Sequence, residues 1–154
     1  MTSYGRHFIK LAQQKLGAKQ LAEAQSYAAE RFHEYDNLFA QGFRAFICPT
    51  TATNRVPADF DPVAPNVELI INGKSVNPQT GWTLTPPFNL MYTIPVVNAP
   101  TGFDANQVPT GMQIAARSYD DLAAFQVTAA YAHAAPQFYT GELVPDCRER
   151  KCAD

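Results

Sequence analysis

Between Ala18 and Phe39 the apolar residues Leu21, Ala28, Phe32, Tyr35 and Phe39 recur three, four or seven positions apart, with Glu23, Glu30 and Glu34 between them. That period lays one apolar stripe along a helix with the acids opposite, and it predicts the clearest helix of the chain, ended by Gly42. A shorter helical pattern precedes it from Met1 to Gly17, with Phe8, Leu11 and Leu16 as its apolar positions and Gly17 as its stop. Phe43 to Cys48 has the length and apolar content of a buried strand, which Pro49 closes because it lacks a ladder donor. Thr50 to Asn66, with Pro57, Pro62 and Pro65, reads as a long irregular loop of the kind that often faces a ligand or partner.

Periodicity resumes at Val67. Asn72-Gly73 flanked by apolar runs predicts a β-hairpin over 67–76, since both turn positions favour a positive φ. A loop from Asn77 to Pro87 carries the single tryptophan, Trp82. Two short apolar runs, Ile94 to Val97 and Met112 to Ala116, predict strands near Thr93–Ala99 and Thr110–Ala116, with a Pro-, Gly-, Asn- and Asp-rich loop between them. Ser118-Tyr119-Asp120-Asp121 resembles a capping box and starts a helix whose expected apolar face is Leu122, Phe125, Ala129 and Ala132, stopped at Pro136. The tail from Thr140 to Asp154 is polar and is expected to be loosely held. The expected fold class is α/β: one domain over 1–154, with strands of a mixed sheet flanked by helices. Strand, long turn, strand and helix form part of a layered sheet, not a self-contained fold.

Composition narrows the picture. The chain has 154 residues, is 46% hydrophobic and only 17% charged. The usual charged fraction is about a quarter, so a charge-poor chain points to surface that faces other protein. A net charge of -2 gives no reason to expect nucleic acid or an anionic membrane as partner. No charged-then-apolar leader opens the chain, and no apolar run approaches the roughly 20 residues that span a bilayer, so the expected location is cytoplasmic. Of three cysteines, Cys48 lies in an apolar run as an inert thiol, while Cys147 and Cys152 lie in the charged tail without the further Cys or His pair a zinc site needs.

The stretch Thr85 to Arg117 carries a family resemblance. Phe88-Asn89-Leu90, Ile94-Pro95, Gly102-Phe103-Asp104, Val108-Pro109-Thr110-Gly111-Met112-Gln113 and then a helix through Tyr131 follow one another in order. This run resembles the closing segment of the amidase signature family, which includes amidases and amidotransferase A subunits. Its form there is close to F-N-x-x-G-x-P, G-F-D and L-P-x-G-x-Q-(I/L). The resemblance reaches back to about Glu34, through Tyr35-Asp36 and Phe43 to Thr51. Thr93 and Ala116 stand where the family prefers glycine.

The resemblance implies hydrolysis of carboxamides by a serine nucleophile, bridged through a second serine to a lysine base, with no cofactor and no metal. Those residues belong to a Gly/Ser-rich region that this sequence lacks. Its serines are Ser3, Ser26, Ser75 and Ser118, none beside another, and no Gly-Gly pair offers clustered N–H donors to an oxyanion. No catalytic residue is therefore carried over. By matching position, the Phe88-Asn89 turn and Thr50 and Thr51 are the residues expected to face a substrate channel. Asn89 as a turn cap and Phe88 as a packing residue are the structural alternatives.

Other chemistry finds less support. His133 falls on the apolar face of its predicted helix, where a core or interface histidine is expected, and His33 lies among acids on an exposed helix. Cys48 as a nucleophile would need an exposed, activated thiol. Asp59 and Asp61 read as solvated loop acids, and Pro95, Gly102, Pro109 and Gly111 as backbone-shaping residues. Gln113 lies on the opposite side of its strand from Met112 and Ile114, placed to hydrogen-bond within the core. Two readings of function remain. The first is the C-terminal part of an amidase, inactive alone, whose partner is the missing N-terminal portion or, through exposed sheet surface, itself. The second is a stand-alone, non-catalytic binding or structural module derived from one. An independent small enzyme built on Cys48 or a histidine has the least support.

Overall fold

A computed structural model describes residues 1–140; Cys147, Cys152 and most of the polar tail lie outside the described residues. Helices α1 (Ser3–Lys15) and α2 (Ala18–Ala40) lead into strand β1 (Phe46–Pro49). The hairpin β2 (Leu69–Ile71) and β3 (Lys74–Val76) follows, then helix α3 (Pro86–Leu90), strands β4 (Val96–Phe103) and β5 (Pro109–Ala115), helix α4 (Asp121–Ala134) and a single 3₁₀ turn at Pro136–Phe138. The class is α/β, with strands and flanking helices as expected.

The main sheet has three strands in the order β1-β5-β4. Where mixed strand directions were expected, each pairing among the described residues is antiparallel. The registers Val96↔Ala115 and Val97↔Ile114 place alternate residues on opposite faces. On one face Ala115 joins Tyr35 of α2 and Phe88, Met91 and Ile94 in a buried cluster, with Phe32, Leu38, Phe39, Cys48 and Val96 packed against it. On the other, Ala116, Ala123 and Ala124 form a second cluster with Val97. The sheet is thus a middle layer, with α2 and α3 on one side and α4 on the other.

The turn chemistry explains several boundaries. Asn72 and Gly73 take φ of 51° and 74°, the positive pair that the expected hairpin over 67–76 requires. Thr2 caps α1 by accepting the Gly5 N–H at 3.2 Å, and Gly17 starts α2, its N–H held by Gln20 Oε1 at 3.1 Å. Asp104 closes the β4–β5 turn by accepting the Asn106 and Val108 N–H groups, both at 2.8 Å. Those N–H groups, Val108 foremost, hold its carboxyl below the usual carboxylate range.

Five expectations are corrected. The strand expected over Phe43–Cys48 runs from Phe46 to Pro49 and is an edge, not an interior strand, because among the described residues no strand pairs on its outer side. β4 does not stop at Ala99 but continues to Phe103, through a register shift between Pro100 and Gly102. An edge strand tolerates a proline at such a bulge because no ladder donor is demanded there. The loop expected through Pro87 instead closes into α3, started by Pro86 and Pro87 at its first turn. The cap of α4 is Asp120, whose carboxylate accepts the Ala123 N–H at 3.0 Å, while Ser118 Oγ turns back to the Thr93 carbonyl at 3.5 Å.

The fifth concerns the buried face of α4. Leu122 and Phe125 are 68% and 63% exposed, and the sheet is met by Ala123 and Ala124. Small side chains let the helix lie close over Ile114 and Ala116, which fill that face themselves. His133 is exposed rather than buried. The apolar stripe of α2 is likewise buried only towards its C-terminal end: Tyr35 is buried, whereas Leu21 is 56% exposed among the described residues.

Candidate functional site

The polar centre of the molecule is Gln113, at the middle of the central strand and only 3% exposed. Cys48, Gln113 and Asn98 form one row across the three strands, on the face that carries α2 and α3. Buried amide groups need partners. Gln113 Nε2 donates to the carbonyls of Pro49 and Leu84, both at 3.1 Å, with Cys48 Sγ at 3.4 Å. One side chain thereby pins β1, β5 and the Trp82–Leu84 segment together, in the core role expected of it.

Thr50 extends this row. Its Oγ1 donates to Asn98 Oδ1 at 2.6 Å. Its N–H donates to the Gly111 carbonyl at 3.0 Å, and its own carbonyl accepts the Leu84 N–H at 3.0 Å. Ala52 N–H donates to the Trp82 carbonyl at 2.8 Å, so two strand-like segments meet beyond the end of β1, with Thr51 opposite Thr83. Trp82 Nε1 is satisfied by the Pro78 carbonyl at 3.1 Å.

Two hollows flank β1. The larger, about 850 Å³, lies among α2, β1 and α3, and its apolar wall includes Tyr35, Leu38, Phe46, Phe88 and Met91. Arg31 and Glu34 stand at it and pair with each other at 2.9 Å. The smaller, about 450 Å³, is lined by Ile47, Pro49 and Met112 and by the polar Thr51, Thr53, Asn54, Thr101 and Thr110. Cys48 contributes to both.

The four residues expected to face a channel are therefore not gathered in one cavity. Phe88 is buried and lines the larger hollow, in T-shaped contact with Tyr35 at a ring separation of 6.1 Å. Thr51 lines the smaller one. Thr50 is committed to the ladder, and Asn89 is exposed, its N–H bonded to the Thr85 carbonyl at 3.2 Å.

Neither hollow holds a serine or a histidine. Burial pushes the Cys48 thiol up, only partly offset by the Gln113 N–H, which disfavours the thiolate that a nucleophile needs. Asp59 and Asp61 are exposed; Asp61 accepts the Val63 N–H at 3.0 Å in a local turn. Among the described residues no group of three or more His, Cys, Asp or Glu could hold a metal, and no helix is long and apolar enough to cross a membrane. The arrangement can shape and wall a cavity.

No family model matches the chain, and no curated protein matches it.

Asn98 was not singled out from the sequence. The signal was present as a lone amide two residues after Val96, where strand alternation keeps one face. The Thr85-Pro86-Pro87 start of α3 was equally legible, since proline is favoured in a first helical turn.

Proposed function

We propose that this chain is the C-terminal part of an amidase, which completes the sheet and substrate channel of an enzyme hydrolysing carboxamide C–N bonds and has no activity alone. The observation that carries the reading is the ordered run from Phe88-Asn89 through Gly102-Phe103-Asp104 to Gln113 and the helix after it. In that reading the serine nucleophile, its bridging serine and the lysine base sit on the missing N-terminal portion. The present chain supplies walls, with Phe88, Asn89, Thr50 and Thr51 as the channel-facing candidates. The outward apolar face of α4, with Leu122 and Phe125 in solvent, supports it. A helix apolar on all sides is expected to be covered on all sides. The parent reaction would take a small amide to its acid and ammonia or amine, in the cytoplasm, without metal or cofactor.

The test is ammonia release from a panel of small amides, read for the purified chain alone and after mixing with a serine-containing amidase portion encoded upstream. Silence alone with activity on mixing is the expected result. Hydrolysis by the chain alone would overturn the proposal and turn attention to Cys48 and His133. The second reading, a stand-alone non-catalytic module, draws on the two apolar clusters that the chain buries on both sides of its sheet. Silence both alone and on mixing, from a cooperatively folded chain, would favour it.

A further inference from the structure

The two edges of the main sheet are not equivalent. β4 carries the bulge between Pro100 and Gly102, and the 3₁₀ turn after α4 lies against it, with Phe138 beside Gly102. A bulge, a proline and a covering element are the ordinary ways a sheet protects an edge from pairing. Among the described residues β1 has no covering element along Phe46–Pro49: Trp82–Leu84 shields only the residues beyond it, and what protects the strand itself is its brevity and the proline at its end.

What surrounds that open edge is apolar. The large hollow lies on one side of β1, and a further hollow of about 260 Å³, lined by Leu38, Phe39, Phe43, Ala45, Phe46 and Ile47, continues from it. Tyr27, Phe43 and Ile47 each leave more than half of their surface in solvent, and Phe46 more than a third. With about 200 Å² for each of the three aromatic side chains and somewhat less for Ile47, these residues offer roughly 400 Å² of apolar area. That is about half of what one partner contributes to a standard interface of roughly 800 Å² per side, the size of a weak, concentration-dependent association.

We infer that β1 is a self-pairing edge, whose occupant is β1 of a second copy of this chain, antiparallel about a two-fold axis. A two-fold places the same surface on both partners, so each residue that protrudes on one copy meets a recess on the other if both lie on that surface. Here they do: Phe43 and Ile47 protrude, and the recess beside them is built from the same strand and the end of α2. Charge matching agrees. A charged residue on the strand would face its own copy across the axis, and Phe46-Ile47-Cys48-Pro49 contains none. Arg31 and Glu34, beside the large hollow, already neutralise each other. The ladder is short and lacks a donor at Pro49, so apolar contact contributes most of the association and the ladder sets its direction.

The inference concerns the chain by itself: a portion that extended the sheet at β1 would displace the second copy from the same edge, so association and the amide reading fail on different measurements. The test is sedimentation of the purified chain over a wide range of concentration, joined to amide hydrogen exchange across residues 46–48. The mass is expected to rise from 17.0 kDa towards twice that value, with exchange at those amides slowing as the dimer fills. Ile47→Lys and, separately, Phe43→Lys change side chains that are already exposed; each is expected to leave the circular dichroism unchanged and hold the chain monomeric. Leu122→Lys, on the outward face of α4, is expected to dimerise as the parent does. A chain that stays monomeric throughout overturns the inference, as does open-ended aggregation. So does association that survives both lysines at β1 but is lost with the one on α4.

Discussion

The stretch from Ile94 to Ala134 and the stretch from Ser3 to Tyr27 both place apolar residues at structural periods, yet only the first buries them. Ile94, Ala99, Gln113 through Ala116, Ala123 and Ala124 are buried in the first; not one residue of the second is. In the first, two strands and a helix that adjoin in sequence fold onto each other, so each apolar face meets another at once. In the second, α1 and the start of α2 offer stripes that no described element buries. The aromatic neighbours of Phe8 lie on its own helix: Tyr4, tilted at 60° with ring centres 4.7 Å apart, and His7, edge-on at 5.6 Å. Helical period makes burial possible; a second surface makes it happen.

Substitutions can sharpen this contrast. The largest effect is expected at Ile114, which is fully buried at 0% exposure. Ile114→Ala should cost about 3 kcal/mol through lost contacts and the cavity left behind, read as a lowered urea midpoint. A loss below about 1 kcal/mol would mean that the centre of the sheet is looser than its burial implies.

Next in size is Tyr35→Phe, which removes the hydroxyl bonded to the Ala116 carbonyl at 3.0 Å and tying α2 to the end of β5. A cost of about 1 to 2 kcal/mol is expected for a buried bond whose acceptor is left unpaired. The same variant has a pH signature. Burial, and then the nearby Cys48, raise the Tyr35 hydroxyl well above its ordinary value of 10.0. The unfolded chain therefore loses this proton first as pH rises. The stabilisation is intact below the ordinary value, declines above it and is lost through the higher folded value. Tyr35→Phe should flatten that alkaline decline relative to the parent; parallel curves would show that Tyr35 is not shielded from water.

Asp120→Ala should cost about 1 kcal/mol as a lost helix cap, whereas Ser118→Ala should cost less, because Ser118 makes only a 3.5 Å contact with Thr93. The reverse ranking would restore Ser118 as the start of α4. Smallest of all, Leu21→Ser in the exposed half of α2 should change stability by less than about 0.5 kcal/mol. A larger loss, measured at a concentration where the chain is associated, would place that arm in an interface.

Much of the fold was legible because local chemistry decides it. Asn72-Gly73 dictates its hairpin through backbone conformation alone, and Gly42 ends α2 at a φ of 93°. Gln113 could be assigned to the core because strand alternation fixes which neighbours share its face. The candidate channel was less legible. Phe88 and Thr51 each border a hollow, but different ones, because β1 stands between them. Sequence spacing does not report which face of a strand a following loop returns to.

The sequence by itself determined the bounds of most elements to within a few residues, α3 excepted, the α/β class, and the absence of paired serines. Each follows from dihedral preference, periodicity or residue identity. Only the tertiary structure decided that α4 turns Ala123 and Ala124 inward and Leu122 outward, since that choice depends on how much room Ile114 and Ala116 leave. Only it decided that β1 is an edge, since an apolar strand reads the same whether it has one neighbour or two, and pairing is a property of the whole sheet.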